Sequence, residues 1–205
     1  MEMFAEGHVE VGGVRVRYVE AGQGAPLVHL PGADGPSPSQ AHDLLARQFR
    51  VIVLEIPGFG PSPEATSVIG RAIESLGLAD FNLMATAGAS AAAISLALAE
   101  PERVRALVLE SPAAIGSEPP GDLERRLPDV STPTLVVFGT ADRAAAQDSG
   151  RVYTGLIPNS HLVFVYDAAA AIGRDRPEAF AEVVADFLER HEAFIISRTP
   201  TVIHP

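Results

Sequence analysis

The rhythm of apolar and polar positions changes repeatedly along this chain, and each change predicts an element. In "HVEVGGVRVRYVEAG" apolar and polar residues alternate on both sides of Gly12-Gly13, which predicts a β-hairpin turning at the glycines. "APLVHLPG" is a continuous apolar run closed by Pro and Gly, the pattern of a strand buried on both faces. "AHDLLARQF" predicts a short amphipathic helix and "RVIVLEIPG" another buried strand. A short helix is expected from about Glu64 to Leu76, then "FNLMA" as a strand, "ASAAAISLALAEP" as a helix and "VRALVLES" as a strand. After a polar, Pro-rich stretch, "TPTLVVFGTAD" and "HLVFVYDA" supply two more strands, and "PEAFAEVVADFLERHEAF" a closing helix.

An antiparallel start followed by alternating strands and helices predicts an α/β fold: a mostly parallel sheet with helices on both faces. Ligands of such sheets bind at the carboxyl ends of the strands. Neither an internal repeat nor a dividing linker interrupts the pattern, so residues 1–205 are expected to form one domain. Residues 191–205 carry an apolar run, "FIISRTPTVIHP", expected to pack as an extension or to pair with a second copy in a homodimer.

Composition narrows the function. The formal net charge of −11 leaves no basic stripe for a nucleic-acid partner. No apolar run approaches the ~18 residues of a membrane helix, so no membrane partner is expected. "MEMFAEGHVEV" has no basic stretch followed by an apolar one, so it does not read as a signal peptide and a cytoplasmic location is expected. With no cysteine there is neither a disulfide framework nor a thiolate nucleophile.

Five segments, in order from about Val9 to Arg190, resemble the α/β-hydrolase family, with meta-cleavage-product hydrolases and related esterases the nearest kind. "HLPGADG" resembles the loop that helps build the oxyanion hole, and "LEIPGFGPSP" the turn after the fourth strand. "ADFNLMATAGA" with "AEPERVRALVLESP" resembles the nucleophile elbow, its helix and the next strand. "TPTLVVFGTAD" resembles the strand that ends in the catalytic acid, and "AIGRDRPEAFAEVVADFLER" the segment after the catalytic histidine. The resemblance places the nucleophile of G-x-S-x-G at Ala87, with Ala85 and Ala89 at the two glycine positions. It places the acid at Asp142, the histidine at Ala170, and the oxyanion-hole N–H groups at Ala33 and Gly88. Acid and backbone are retained, whereas a methyl group stands where the nucleophile and the base belong. Little sequence fills the place of the usual helical cap, so the cap is expected to be absent or very small.

Other side chains are candidates for the missing chemistry. Ser90, in "GASAA", falls a turn into the helix, where its hydroxyl is expected to bond back to the backbone. Thr86 precedes the tip and is expected to face neighbouring loops. His161 opens a strand at the end away from the site. His29 lies near the end of a buried strand and reads as a hydrogen-bonded core residue. His42 and His191 read as members of solvated helix faces, and His8 and His204 lie near the termini. Glu110 is an alternative acid, though a solvent-facing strand end is the preferred reading. Neither metal-ligand spacing nor H-E-x-x-H occurs, and no metal or cofactor is expected.

Alanine is concentrated at Ala85, Ala87 and Ala89, at Ala144 to Ala146 and at Ala168 to Ala171, the three loops that the resemblance assigns to the triad. Natural degeneration of a hydrolase and replacement of Ser and His by Ala in an active one would both leave this pattern. The resemblance implies a hydrolase of ester or carbon–carbon bonds in small carbonyl compounds, with activity absent or vestigial. The alternative is a non-catalytic protein that binds a small-molecule carbonyl or ester ligand on the same scaffold.

Overall fold

The computed structural model describes residues 4–32, 35, 37–55, 63–115, 121–142 and 144–194. The hairpin forms as β1 (Ala5–Val11) and β2 (Val14–Ala21), antiparallel about Gly12-Gly13. Then follow β3 (Ala25–Leu30), α1 (Gln40–Leu45), β4 (Phe49–Leu54) and α2 (Pro63–Ser75). The middle of the chain is β5 (Phe81–Thr86), a 3₁₀ turn (Ala87–Ala89), α3 (Ser90–Ala99) and β6 (Val104–Glu110). The last part comprises α4 (Asp122–Arg126), β7 (Thr134–Gly139), α5 (Ala144–Leu156), β8 (Ser160–Val165), α6 (Ile172–Asp175) and α7 (Pro177–Arg190).

The eight strands form one sheet in the order β1-β2-β4-β3-β5-β6-β7-β8. β2 runs antiparallel to both neighbours, and every pairing from β4 to β8 is parallel. The continuous apolar runs follow from this layering, because both faces of the central strands are covered. Val28, Ile52, Leu83, Leu107 and Val136 pack on one face with Ile69 and Ile73 of α2, Ile94 of α3 and Tyr153 of α5. Their strand neighbours Leu27, Val51, Met84, Val108 and Val137 pack on the other with Leu45 of α1 and Phe180, Val184 and Phe187 of α7.

Between β6 and β7 the described residues hold only α4 and a 3₁₀ turn at Leu127–Asp129. Among the described residues, nothing larger than these two short elements stands between β6 and β7 in the place of a cap. No described helix is long and apolar enough to cross a membrane. The apolar tail lies outside the described residues from residue 195 onward.

α5 departs from expectation, since Ala144 to Ala146, expected in a loop, open a helix. Ordinary helix propensity accounts for alanine there. The sequence hides this helix because glycines interrupt it, yet Gly150 is where it meets the sheet. A Cβ at Gly150 would crowd Leu162 and the ring of Phe138. Ser149, Tyr153 and Ile157 continue the buried stripe, with spacings of four residues. The alanines of the 168–171 segment, by contrast, precede α6 in a loop.

Candidate functional site

Three neighbouring parallel strands, β3, β5 and β6, bring polar side chains to the same face at or near their carboxyl ends. His29 lies opposite Val53 on one side and Met84 on the other, and Thr86 lies opposite Glu110. These groups border a cavity of about 230 Å³. Its mouth includes Gly32, Ala87, Ala170 and Ala171, and its apolar wall includes Leu45, Met84 and Phe180.

Ala87 occupies the turn between β5 and α3 with a φ of 50°. For an L-residue the left-handed region costs about 1–2 kcal/mol, and here it is held at the tip of a strand–turn–helix between two buried segments. Gly32 comes close to this tip: a Cβ placed on Gly32 would lie 3.9 Å from the Ala87 methyl. Gly88 is exposed beside it. Ala170 is exposed on the loop after β8 and borders the same cavity as Ala87. That loop is held against β7 by the Ala141 N–H, which donates to the Ala168 carbonyl at 2.9 Å. Gly139 makes the approach possible, because a Cβ there would collide with the carbonyl oxygens of Ala168 and Ala169.

Asp142 lies half-buried in the turn that follows β7, its own N–H donating to the Gly139 carbonyl at 3.2 Å, and does not border the cavity. Ala33 lies outside the described residues. Ser90 is buried at the start of α3, and its hydroxyl has no hydrogen-bond partner among the described residues. The expected back-bond to the helix is therefore not made.

The cavity floor corrects three further expectations. His42 is not on a solvated face but buried, because α1 packs against α6 and α7 and turns this side chain inward. Thr86 does not face the loops, and Glu110 does not face solvent. Instead these groups form one chain of hydrogen bonds. The Ser39 backbone N–H donates to His42 Nδ1 at 2.9 Å, and Ser39 Oγ reaches the same nitrogen. His42 Nε2 and His29 Nδ1 are 2.8 Å apart, and His29 Nε2 lies 2.9 Å from Thr86 Oγ1. The Thr86 hydroxyl donates to Glu110 Oε2 at 2.7 Å, and the Gly173 N–H donates to Glu110 Oε1 at 2.8 Å.

A backbone amide can only donate, so the Ser39 N–H fixes the direction of the whole chain. His42 Nδ1 must accept, which leaves the proton on Nε2 to be donated to His29 Nδ1. His29 then carries its proton on Nε2 and donates to Thr86. Burial drives the His29 imidazole well below its ordinary range, with the neighbouring His42 adding to the effect. Burial likewise pushes His42 down to about 4. Both rings are accordingly neutral at physiological pH. Burial raises Glu110, while N–H groups from Gly173 and Ile172 and the Thr86 hydroxyl oppose the rise.

One sequence signal did point here. Ser39 and His42 stand at the N-cap and third position of α1, the spacing of a capping box, with histidine in place of the usual Glu or Gln. Among the described residues there is no group of three or more His, Asp or Glu arranged to hold a metal ion.

Comparison with known proteins follows from this geometry. No protein-family model matches the chain. It is 25% identical over 156 residues to Protein ABHD14A of Danio rerio, a match covering 72% of this chain and 56% of that protein. The corresponding mouse (Mus musculus) protein is covered to 61%, so the matches span little more than half the length of these curated relatives. A stretch of 62 residues is 37% identical to 2-hydroxy-6-oxo-6-(2'-aminophenyl)hexa-2,4-dienoic acid hydrolase of Metapseudomonas resinovorans, covering 28% of this chain and 21% of that enzyme. In structure the chain resembles a predicted CIB-like hydrolase from Thermoplasma acidophilum, with TM-score 0.74 and 20% identity over 92% of this chain and 99% of that one. It also resembles the enol-lactonase from Burkholderia xenovorans LB400, with TM-score 0.76 and 18% identity over 89% and 100%. The strand order, the strand–turn–helix at Ala87 and these likenesses agree. The chain is an α/β-hydrolase-fold protein. Within that fold, the turn between β5 and α3 carries Ala87, and the loop after β8 presents Ala170 to the same cavity.

Proposed function

We propose that this protein is a disarmed hydrolase, of the type that acts on ester or carbon–carbon bonds of small carbonyl compounds, with catalytic activity absent or vestigial. One observation carries the reading: Ala87 keeps the left-handed turn of a nucleophile elbow while offering only a methyl group, and Ala170 borders the same cavity. In this reading position 87 is the nucleophile site, position 170 the histidine site and Asp142 the acid, with the Ala33 and Gly88 N–H groups as oxyanion donors. A methyl group can neither attack a carbonyl nor carry a proton. In a serine hydrolase, loss of the serine or histidine lowers turnover about 2 × 10⁶-fold, a barrier increase of about 8–9 kcal/mol. The enol-lactonase and the dienoic acid hydrolase among the similar proteins support the substrate type.

Neighbouring polar groups do not restore the triad. His29 Nε2 donates to Thr86 rather than accepting from it, the reverse of what a histidine base does for its nucleophile. Among the described residues only α4 and a 3₁₀ turn stand in the place of a cap, and they offer little to exclude water from a reacting centre.

The preserved cavity favours a second reading, in which the scaffold binds a small carbonyl or ester ligand without turning it over. Fluorophosphonate labelling separates live from disarmed chemistry. The chain as it stands takes up no label, and the double reversion Ala87→Ser with Ala170→His becomes labelled at residue 87. Labelling of the unmodified chain at any serine or threonine would contradict the proposal.

A further inference from the structure

The direction of the buried hydrogen-bond chain determines what the cavity floor can offer a ligand. Every side-chain proton along it is already committed. His42 Nε2–H goes to His29, His29 Nε2–H to Thr86, and the Thr86 hydroxyl to Glu110. What is left toward the cavity is acceptor capacity. Thr86 Oγ1 has two acceptor positions and uses one for His29. The Glu110 carboxylate has about four, of which the Thr86 hydroxyl and the N–H groups of Gly173 and Ile172 occupy three. Thr86 Oγ1 and Glu110 Oε2 are only 2.7 Å apart, close enough for one donor group to reach both.

The local charge balance points the same way. Glu110 is the acidic side chain of the cavity floor, its carboxyl raised by burial with Arg174 opposing the rise, and both histidines of the chain are neutral. Arg174 borders the cavity but is exposed. Ser37 and Ser39 also line the cavity, and Leu45, Met84 and Phe180 give it an apolar wall. A carboxylate ligand placed against Thr86 and Glu110 would meet oxygens there, because every side-chain proton of the hydrogen-bond chain is committed. An ammonium would meet two converging acceptors, one of them on an acidic side chain, with apolar surface for a short carbon chain.

We propose that the buried end of the cavity is a subsite for a primary ammonium group on a short apolar stem, held by Glu110 and Thr86. The subsite rests on the cavity being the ligand site, and gives the small carbonyl ligand an amino group at the end that enters first. The carbonyl would lie at the mouth beside Ala87, and the ammonium nitrogen at the floor.

Calorimetric titration of the unmodified chain with n-butylamine, butyrate and butanamide at neutral pH tests this directly. Butylamine is expected to bind saturably and butyrate not to. Glu110→Gln should weaken butylamine about tenfold or more, the loss of one charge-assisted hydrogen bond. Thr86→Val should weaken it as well, while Thr86→Ser, which keeps the hydroxyl, should not. Equal binding of butyrate and butylamine, no butylamine binding, or indifference to a folded Glu110→Gln would each overturn the subsite. If Glu110→Gln does not fold, the amine-against-carboxylate comparison on the unmodified chain decides alone. Because the titration needs no turnover, it can succeed or fail independently of the labelling experiment above.

Discussion

Thr86 Oγ1 donates to Glu110 Oε2 across 2.7 Å, tying the last residue of β5 to the last residue of β6 one position before the turn at Ala87. The same oxygen accepts from His29, so a single hydroxyl joins the histidine pair to the buried carboxylate. Replacing Thr86 by isosteric Val strands a buried imidazole N–H and removes a donor from Glu110. Each unsatisfied buried group costs about 1–3 kcal/mol. Thr86→Val is therefore expected to lose about 2–5 kcal/mol of stability, read as a lower urea midpoint with unchanged slope. Thr86→Ser should recover most of the loss.

Stability should fall in mild acid. An unfolded histidine titrates near about 6.5, whereas His42 is held down to about 4 and His29 well below its ordinary range. Between those values the unfolded chain binds more protons, so the histidine contribution is full above the unfolded pKa and is lost as pH falls. His42 alone accounts for about 2 kcal/mol between about pH 7 and about pH 5. Glu110 acts with the opposite sign, because burial raises it: its contribution is present at low pH and lost as pH rises through its folded value. Urea unfolding at the two pH values should show the histidine loss, and Glu110→Gln should not lessen it, because Glu110 acts with the opposite sign.

Ser90 supplies a contrasting test. Its hydroxyl is buried without a partner among the described residues, so removing it removes a desolvated polar group. Ser90→Ala is expected to leave stability unchanged or raise it by up to about 1 kcal/mol. A large loss in the melting midpoint would reveal a bond that this arrangement does not contain.

Gly139 carries the close approach between β7 and the loop that bears Ala170. Gly139→Ala drives a methyl group into the Ala168 and Ala169 carbonyls, which must move away. The expected cost is about 1–3 kcal/mol. In the double revertant, turnover should drop further than stability does, because the displaced loop holds position 170. Equal turnover with and without the substitution would show that the loop's position is set elsewhere.

Local pattern carried the strands well, because strand burial on both faces leaves uninterrupted apolar runs such as "APLVHL" and "TLVVF". The turn at Ala87 was equally legible from its place between a buried strand and an alanine-rich helix. What the sequence concealed depends on packing between distant elements. His42 looks solvated beside Asp43 until α1 meets α7 and covers it. Glu110 looks like a strand end until the Gly173 N–H, 63 residues later, closes over it. α5 was hidden for a related reason: Gly150 appears to break a helix, yet provides its contact with β7 and β8.

The central claim is that the hydrolase scaffold persists while the reactive groups are gone. Turnover of short p-nitrophenyl esters by the unmodified chain and by Ala87→Ser with Ala170→His tests it most directly. The account predicts no enzymatic turnover from the unmodified chain and clear turnover from the double revertant. Turnover by the unmodified chain that equals the revertant's would contradict it.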